Sequence, residues 1–236
     1  MGRAFEYRKA RKMKRWEQMA KVFTKISREI TLAVSQGGAD PTNNPRLRLA
    51  IQNAKTANMP KKNVENAIQR ALSKELSNLQ EVVHEGYGPH GIAVVVECLT
   101  DNPIRTLAIV RMHFSRSGGA LGTSGSLNYM FERKGEFIFP LNNLDVEKLE
   151  LELIDAGADD IEINEEEICV YTAYEDFGNM QAKLEEMGIE AKETGLQRFP
   201  TTRKKLEDTQ KQEIETLIDK LEDDNDVQKV FHNMAF

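Results

Sequence analysis

The sequence predicts an α+β multidomain protein, with an N-terminal three-helix domain followed by two α/β domains, the last ferredoxin-like and inserted in the other. Three observations carry this expectation. Apolar residues recur every three to four positions as far as the helical segment ending before Ser77. Short β-branched runs take over after it. Residues 134–199 then follow the order β-α-β-β-α-β, which is that of a split βαβ fold. With 236 residues, 40% of them hydrophobic, the chain is long enough for two or three cores.

The first helix is marked by Trp16, Met19, Phe23, Ile26, Ile30 and Ala33, and it stops at Gly37-Gly38. Asn44 is placed to cap a second helix with Pro45 at its first position, where a missing N–H costs nothing. Leu47, Ala50, Ile51 and Ala54 form its apolar side. Pro60 opens a third helix that buries Val64, Ala67, Ile68, Ala71 and Leu72. Three short amphipathic helices bury their stripes only against one another. They make domain one, residues 1–77.

Val82-Val83 and Ile92 to Cys98 read as strands around the turn Gly86 to Gly91, and Asp101 to Phe114 as a helix. A glycine-rich loop, Ser117 to Ser126, precedes an expected strand from Leu127 to Phe131. In the insertion, strands are expected at 137–139, 160–163, 168–171 and 189–198, with helices at 146–156 and 177–187. Thr202 is the expected cap of a long helix through Leu206, Ile214, Leu217 and Leu221, and 227–231 is a closing strand. One helix and one strand cannot fold alone, so they are assigned to the sheet begun at 82–131. The domains are therefore 1–77, 78–133 plus 200–236, and the insertion 134–199.

No apolar run approaches the roughly 20 residues of a membrane span, and no h-region follows the basic N-terminus, so no membrane partner is expected. Cys98 and Cys169 are isolated and form neither a disulfide framework nor a CxxC site, which fits a cytoplasmic protein.

The net charge of −6 conceals a division. Residues 1–75 carry 17 Lys/Arg against 6 Asp/Glu, a net +11, and the rest of the chain is −17. Segregation on this scale points to a polyanion-facing patch. On a helical wheel Arg11, Lys14, Gln18, Lys21, Lys25 and Arg28 recur opposite the apolar stripe, and Arg8, Lys9, Lys12 and Arg15 thicken that ridge. Only Glu6, Glu17 and Glu29 oppose ten basic residues among the first thirty. Arg46, Arg48, Lys61 and Lys62 extend the candidate nucleic-acid surface, since clustered cations neutralise phosphates and release counterions. The Asn58-Met-Pro60 corner fits a helical hairpin but marks no recognition helix.

Gly118, Gly119, Gly122, Gly125 and Ser126 form a candidate backbone-contact loop, because glycine lets a main chain approach a phosphate closely. The loop lacks the GK[ST] and GxGxxG patterns and lies between a helix and a strand, so a contact to RNA or a partner, or a plain connector, is expected rather than a nucleotide site. His84, His90, His113 and His232 have no metal-ligand spacing, and no GxSxG or HExxH is present. Asp101-Asn102 reads as a helix cap. Asp223-Asp224-Asn225-Asp226 lacks the glycine and glutamate of a calcium loop. Catalytic residues, metal, cofactor and small-molecule substrate are therefore expected to be none.

Several segments resemble the YebC/PmpR family. They include Lys21 to Ile30, Gly37-Gly-Ala-Asp-Pro41, Asn44-Pro-Arg-Leu-Arg48, Asn58-Met-Pro60, Glu85-Gly-Tyr-Gly-Pro89, Leu99-Thr-Asp-Asn102, Gly118-Gly-Ala-Leu-Gly122, Glu175-Asp-Phe177 and Asp226-Val-Gln228. The resemblance implies a helical domain and two α/β domains, and a DNA-binding transcriptional regulator without catalysis. It also implies an alternative, translation regulation through RNA or the ribosome, since the mitochondrial translational activator of cytochrome c oxidase belongs to the same family. A protein-interaction scaffold is a third expectation. Gly2-Arg-Ala-Phe-Glu6 stands where the family usually has Gly-His-Ser-Lys-Trp.

Overall fold

The structure is a computed structural model that describes residues 3–73, 79–142, 144–164 and 166–235, with the side chains of residues 3–18 and Glu147 outside that description. Its helices are α1 (Arg3–Gly37), α2 (Pro45–Thr56), α3 (Lys61–Leu72), α4 (Pro103–Arg116), α5 (Val146–Asp155), α6 (Phe177–Glu186) and α7 (Asp208–Glu222). Its strands are β1 (Gln80–Tyr87), β2 (Ala93–Thr100), β3 (Ala120–Leu121), β4 (Phe131–Pro140), β5 (Ala158–Ile163), β6 (Glu167–Ala173), β7 (Glu193–Pro200) and β8 (Val227–His232). The protein is α+β, and the chain folds into two units: Met1–Ser124 with Glu207–Val230, and Gly125–Leu206 with Phe231–Phe236.

In the first unit α1 is stopped after Gly37 by Gly38, whose φ of +84° is the left-handed conformation that glycine adopts without a Cβ penalty. Asn44 ties the bundle together. Its Oδ1 accepts from the Leu47 N–H at 3.0 Å and caps α2, while its Nδ2 donates to Ala33 O at 2.7 Å and Gly38 O at 2.8 Å. A Cβ on Gly37 would lie 2.7 Å from Asn44 Nδ2, so this approach requires glycine. Ile26, Ile30, Ala33 and Val34 of α1 pack with Leu47, Ala50 and Ala54 of α2, Met59 and Ala67. Those positions match the apolar stripes of the sequence.

The first sheet has the order β3-β1-β2-β8. β1 and β2 pair antiparallel from Gln80↔Thr100 to Tyr87↔Ala93. Nearly every residue of β2 is buried, as in a strand covered on both faces. Val110 and Phe114 of α4 and Ile214, Leu217 and Leu221 of α7 supply buried apolar residues to this unit. The C-terminal strand β8 joins the sheet begun by β1, as the chain order predicts.

The second unit holds the sheet β5-β6-β4-β7, whose described pairings are all antiparallel. This is the ferredoxin-like arrangement of a β-α-β-β-α-β unit. Phe137, Phe139, Leu149, Leu153, Ile168, Val170, Met180 and Leu184 form its core.

Two local expectations are corrected. The segment 127–131 is not a strand: Asn128–Met130 makes a 3-10 turn, and β4 starts at Phe131. Thr202 does not cap the last helix. α7 starts at Asp208, where the Glu207 and Gln210 side chains each accept from the other's backbone N–H. That reciprocal box satisfies two helix-end donors and outcompetes a lone threonine.

Candidate nucleic-acid interface

Spacing by threes and fours does place Lys21, Lys25 and Arg28 on one flank of α1, but that flank is occupied. The turn after α7 lies against it, within the same unit. Lys21 Nζ donates to Asp223 Oδ1 at 2.6 Å, and Lys25 Nζ to Glu222 O at 3.0 Å. Arg28 Nη1 lies 3.0 Å from Leu99 O, 2.8 Å from Asn225 O and 2.6 Å from Asp226 Oδ1. Burial pushes the Lys25 ammonium below its ordinary range, against the opposing pull of Glu222. Over residues 21–28 the cationic side chains are thus paired with the chain's own acidic turn.

The centre of this contact is Asp226, whose side chain is only 6% exposed. Burial alone would raise its pKa. Hydrogen bonds from Arg105 (2.9 Å to Oδ2), Arg28 and Thr106 (2.8 Å to Oδ2) outweigh burial and hold the carboxyl well below the usual carboxylate range. Thr100 Oγ1 adds a contact at 3.1 Å and also accepts from the Asn102 N–H at 3.0 Å. Asn102 caps α4 through the Arg105 N–H at 3.1 Å, as expected of it. Nothing in the sequence read alone marked this cluster, although Leu99 to Asn102 and Asp226 lie within the segments that carry the family resemblance.

Arg46 pairs with Glu81 and with Gln36 Oε1 at 3.0 Å. Arg48 folds back on the carbonyls of Pro41 (3.1 Å) and Thr42 (3.3 Å). Lys61 lies 3.8 Å from Glu65. Lys62 and Arg70 are exposed, and among the described residues their charged groups have no partner. Arg8, Lys9, Arg11, Lys12, Lys14 and Arg15 belong to α1, with side chains outside the described ones.

The glycine-rich loop is committed inward along most of its length. The N–H groups of Gly118, Gly119 and Gly122 donate to Ser115 O, Phe114 O and Glu85 O at 3.2, 2.9 and 2.8 Å. A Cβ on Gly119 would sit 2.4 Å from Tyr87 O, so that glycine serves the close pairing of β3 on β1. Those three amides are therefore already engaged by carbonyls of the chain itself. In the second unit Gly125 takes φ +83° and its carbonyl accepts from the Asn128 N–H, while the Ser126 hydroxyl is buried with no hydrogen-bond partner among the described residues.

A cleft of about 470 Å³ opens between α1 and α3 in the first unit, with polar and apolar lining residues that include Phe23, Ser27, Arg28, Asn63, Asn66 and Arg70. No local pattern announces it, since each helix contributes only one of its edges. Among the described residues no group of His, Cys, Asp and Glu is arranged to hold a metal ion, and no helix is long and apolar enough to cross a membrane. Burial pushes the Cys98 thiol up to about 12, far from a thiolate nucleophile at neutral pH.

A helical bundle followed by two α/β domains, the second a ferredoxin-like insertion, defines the class of multidomain α+β protein to which this chain conforms. More particularly, the chain belongs to the TACO1/YebC family. Residues 3–74 match the TACO1/YebC protein N-terminal domain, and residues 79–234 match the TACO1/YebC second and third domain. A probable transcriptional regulatory protein of Parabacteroides distasonis is 53% identical, covering 99% of this chain and 97% of that one. One from Sulfurimonas denitrificans is 50% identical over the full length of both. The crystal structure of a conserved hypothetical protein from Aquifex aeolicus is similar with a TM-score of 0.81 and 38% identity, covering 92% of this chain and 90% of that one.

Proposed function

We propose that this chain is a non-catalytic, nucleic-acid-binding regulator of gene expression whose helical N-terminal segment faces the polyanion. The observation that carries the reading is the charge division, net +11 over residues 1–75 against −17 for the remainder. The relatives' name, probable transcriptional regulatory protein, supports regulation at the level of transcription. The proposed contacts are Arg8, Lys9, Arg11, Lys12, Lys14 and Arg15, with Lys62 and the outward parts of Arg46, Arg48 and Lys61. Lys21 and Lys25 are secondary, because a phosphate must displace an internal acceptor to reach them, and so is Arg28, whose Nη1 is already held by three acceptors. We also divide the chain at residues 77, 133 and 199, in line with the family's separate N-terminal, second and third domains.

One observation favours a second reading, binding to RNA or the ribosome: the tied flank at 21–28 interrupts a straight helical ridge of the kind that tracks a duplex groove. Titrating the protein with labelled duplex DNA and structured RNA across a salt series tests both. About six phosphate contacts predict a roughly 10³-fold loss of affinity between 50 and 200 mM salt. Replacing Arg8, Lys9, Arg11, Lys12, Lys14 and Arg15 by Gln should flatten that dependence. Unchanged affinity in this variant, or no binding at 50 mM salt, overturns the proposal.

A further inference from the structure

The cleft between α1 and α3 has two chemically different walls. Along α1, Thr24, Ser27 and Thr31 recur at helical spacing, and each hydroxyl donates to the carbonyl four residues back, at 2.9, 2.7 and 2.8 Å. Their protons are spent, so what they offer is oxygen lone pairs. Along α3, Asn63 and Asn66 lie one turn apart, and among the described residues their side-chain amides bond to nothing. Each amide pairs two donors with a carbonyl acceptor on one flat group.

Two cations complete the cleft. Arg70 is exposed and without an ionic partner among the described residues. Arg28 is fixed by the three contacts of Nη1, which leave its Nη2 and Nε without a described partner. The carboxylate that also lines the cleft, Asp101, is engaged by Arg105 at 2.8 Å. Flat donor–acceptor groups recognise the edge of a nucleobase, and arginine recognises phosphate. A volume of about 470 Å³ lies within the range of small-molecule sites. An acidic peptide would also offer backbone N–H and C=O groups to the asparagines, so the choice of a nucleotide over a peptide comes from the basic N-terminal segment, net +11 over residues 1–75.

We propose that this cleft takes one unstacked nucleotide of a single-stranded nucleic acid, with its base edge on Asn63 and Asn66 and its phosphate on Arg70. The assignment rests on the nucleic-acid reading above and adds a mode of recognition to it. Single strands permit it because a splayed base exposes its pairing edge, which a duplex hides. The cleft then senses base identity, while the basic N-terminal segment supplies affinity that is blind to sequence.

The test uses the full chain and 12-nucleotide homopolymers of RNA and DNA, labelled at the 5′ end and read by fluorescence anisotropy, with a mixed-sequence duplex beside them. Wild type is expected to prefer one homopolymer over the others. The double variant N63A/N66A should lose about 10-fold or more for that homopolymer and lose the preference, with its salt slope unchanged. R70Q should weaken all single strands and lower the slope by about 1. Both asparagines are exposed, so circular dichroism and the melting temperature should report an intact fold. If folded N63A/N66A keeps wild-type affinity and preference, the cleft assignment falls while the nucleic-acid reading stands. If wild type binds neither single strand nor duplex at 50 mM salt, both fall.

Discussion

Replacing Asp226 by Asn separates the internal lock from a decorative surface ion pair. The carboxylate is nearly sealed from solvent and takes hydrogen bonds from Arg28, Arg105, Thr100 and Thr106. Removing one partner of a buried charge pair costs about 3–5 kcal/mol. The Arg105 side chain is half exposed, and Asn preserves the shape and part of the bonding, so the lower end applies, about 3 kcal/mol. At roughly 2–4 °C per kcal/mol, the melting temperature should fall by about 6–12 °C. The control is Asp223→Asn, whose partner Lys21 is exposed and whose loss should cost about 0–1 kcal/mol. Urea unfolding at pH 7 with both variants measures the contrast. The sign of the pH dependence follows from the depressed carboxyl. Its contribution is fully present above the unfolded-state pKa of about 3.9 and is lost as pH falls below that value toward the folded-state one. Wild type should therefore lose its advantage over D226N as acid is added below about pH 4. Equal midpoints for D226N and D223N at pH 7 would refute the idea that Asp226 fastens α1 to the α7–β8 turn.

Glu29 should behave in the opposite sense, because burial raises its pKa, partly offset by Lys229 and Arg46. Its raised folded-state value favours the protonated acid, so stability is lost as pH rises above about 4.3; E29Q should melt higher than wild type at pH 7, and the gap should close near pH 4. Asn44→Ala removes a helix cap and two buried donors, and should shift the urea midpoint by about 2–3 kcal/mol, of which Asn44→Ser restores the capping share of about 1. Gly119→Ala drives a Cβ into Tyr87 O and should cost about 1–3 kcal/mol by the same assay, whereas Gly118→Ala, with open space but φ +78°, should cost about 1.

The sequence alone determined whatever depends on neighbours a few residues away. The apolar stripe through Ile26, Ile30 and Ala33, the Asn44-Pro45 start of α2, the hairpin around Gly88–Gly91 and the ferredoxin-like order of the inserted strands all follow from local periodicity and capping. The charge division was equally legible, because it needs only counting. Tertiary structure alone decided which cations face outward. Lys21 meets Asp223 across 202 positions of sequence, and Arg28 meets Asp226 across 198, pairings that no helical wheel contains. The same holds for the glycine loop, whose N–H groups turn to Phe114 and Glu85 once β3 lies on β1. A side chain's period fixes the flank of the helix it occupies, but only the packing of distant segments fixes what lies against that flank.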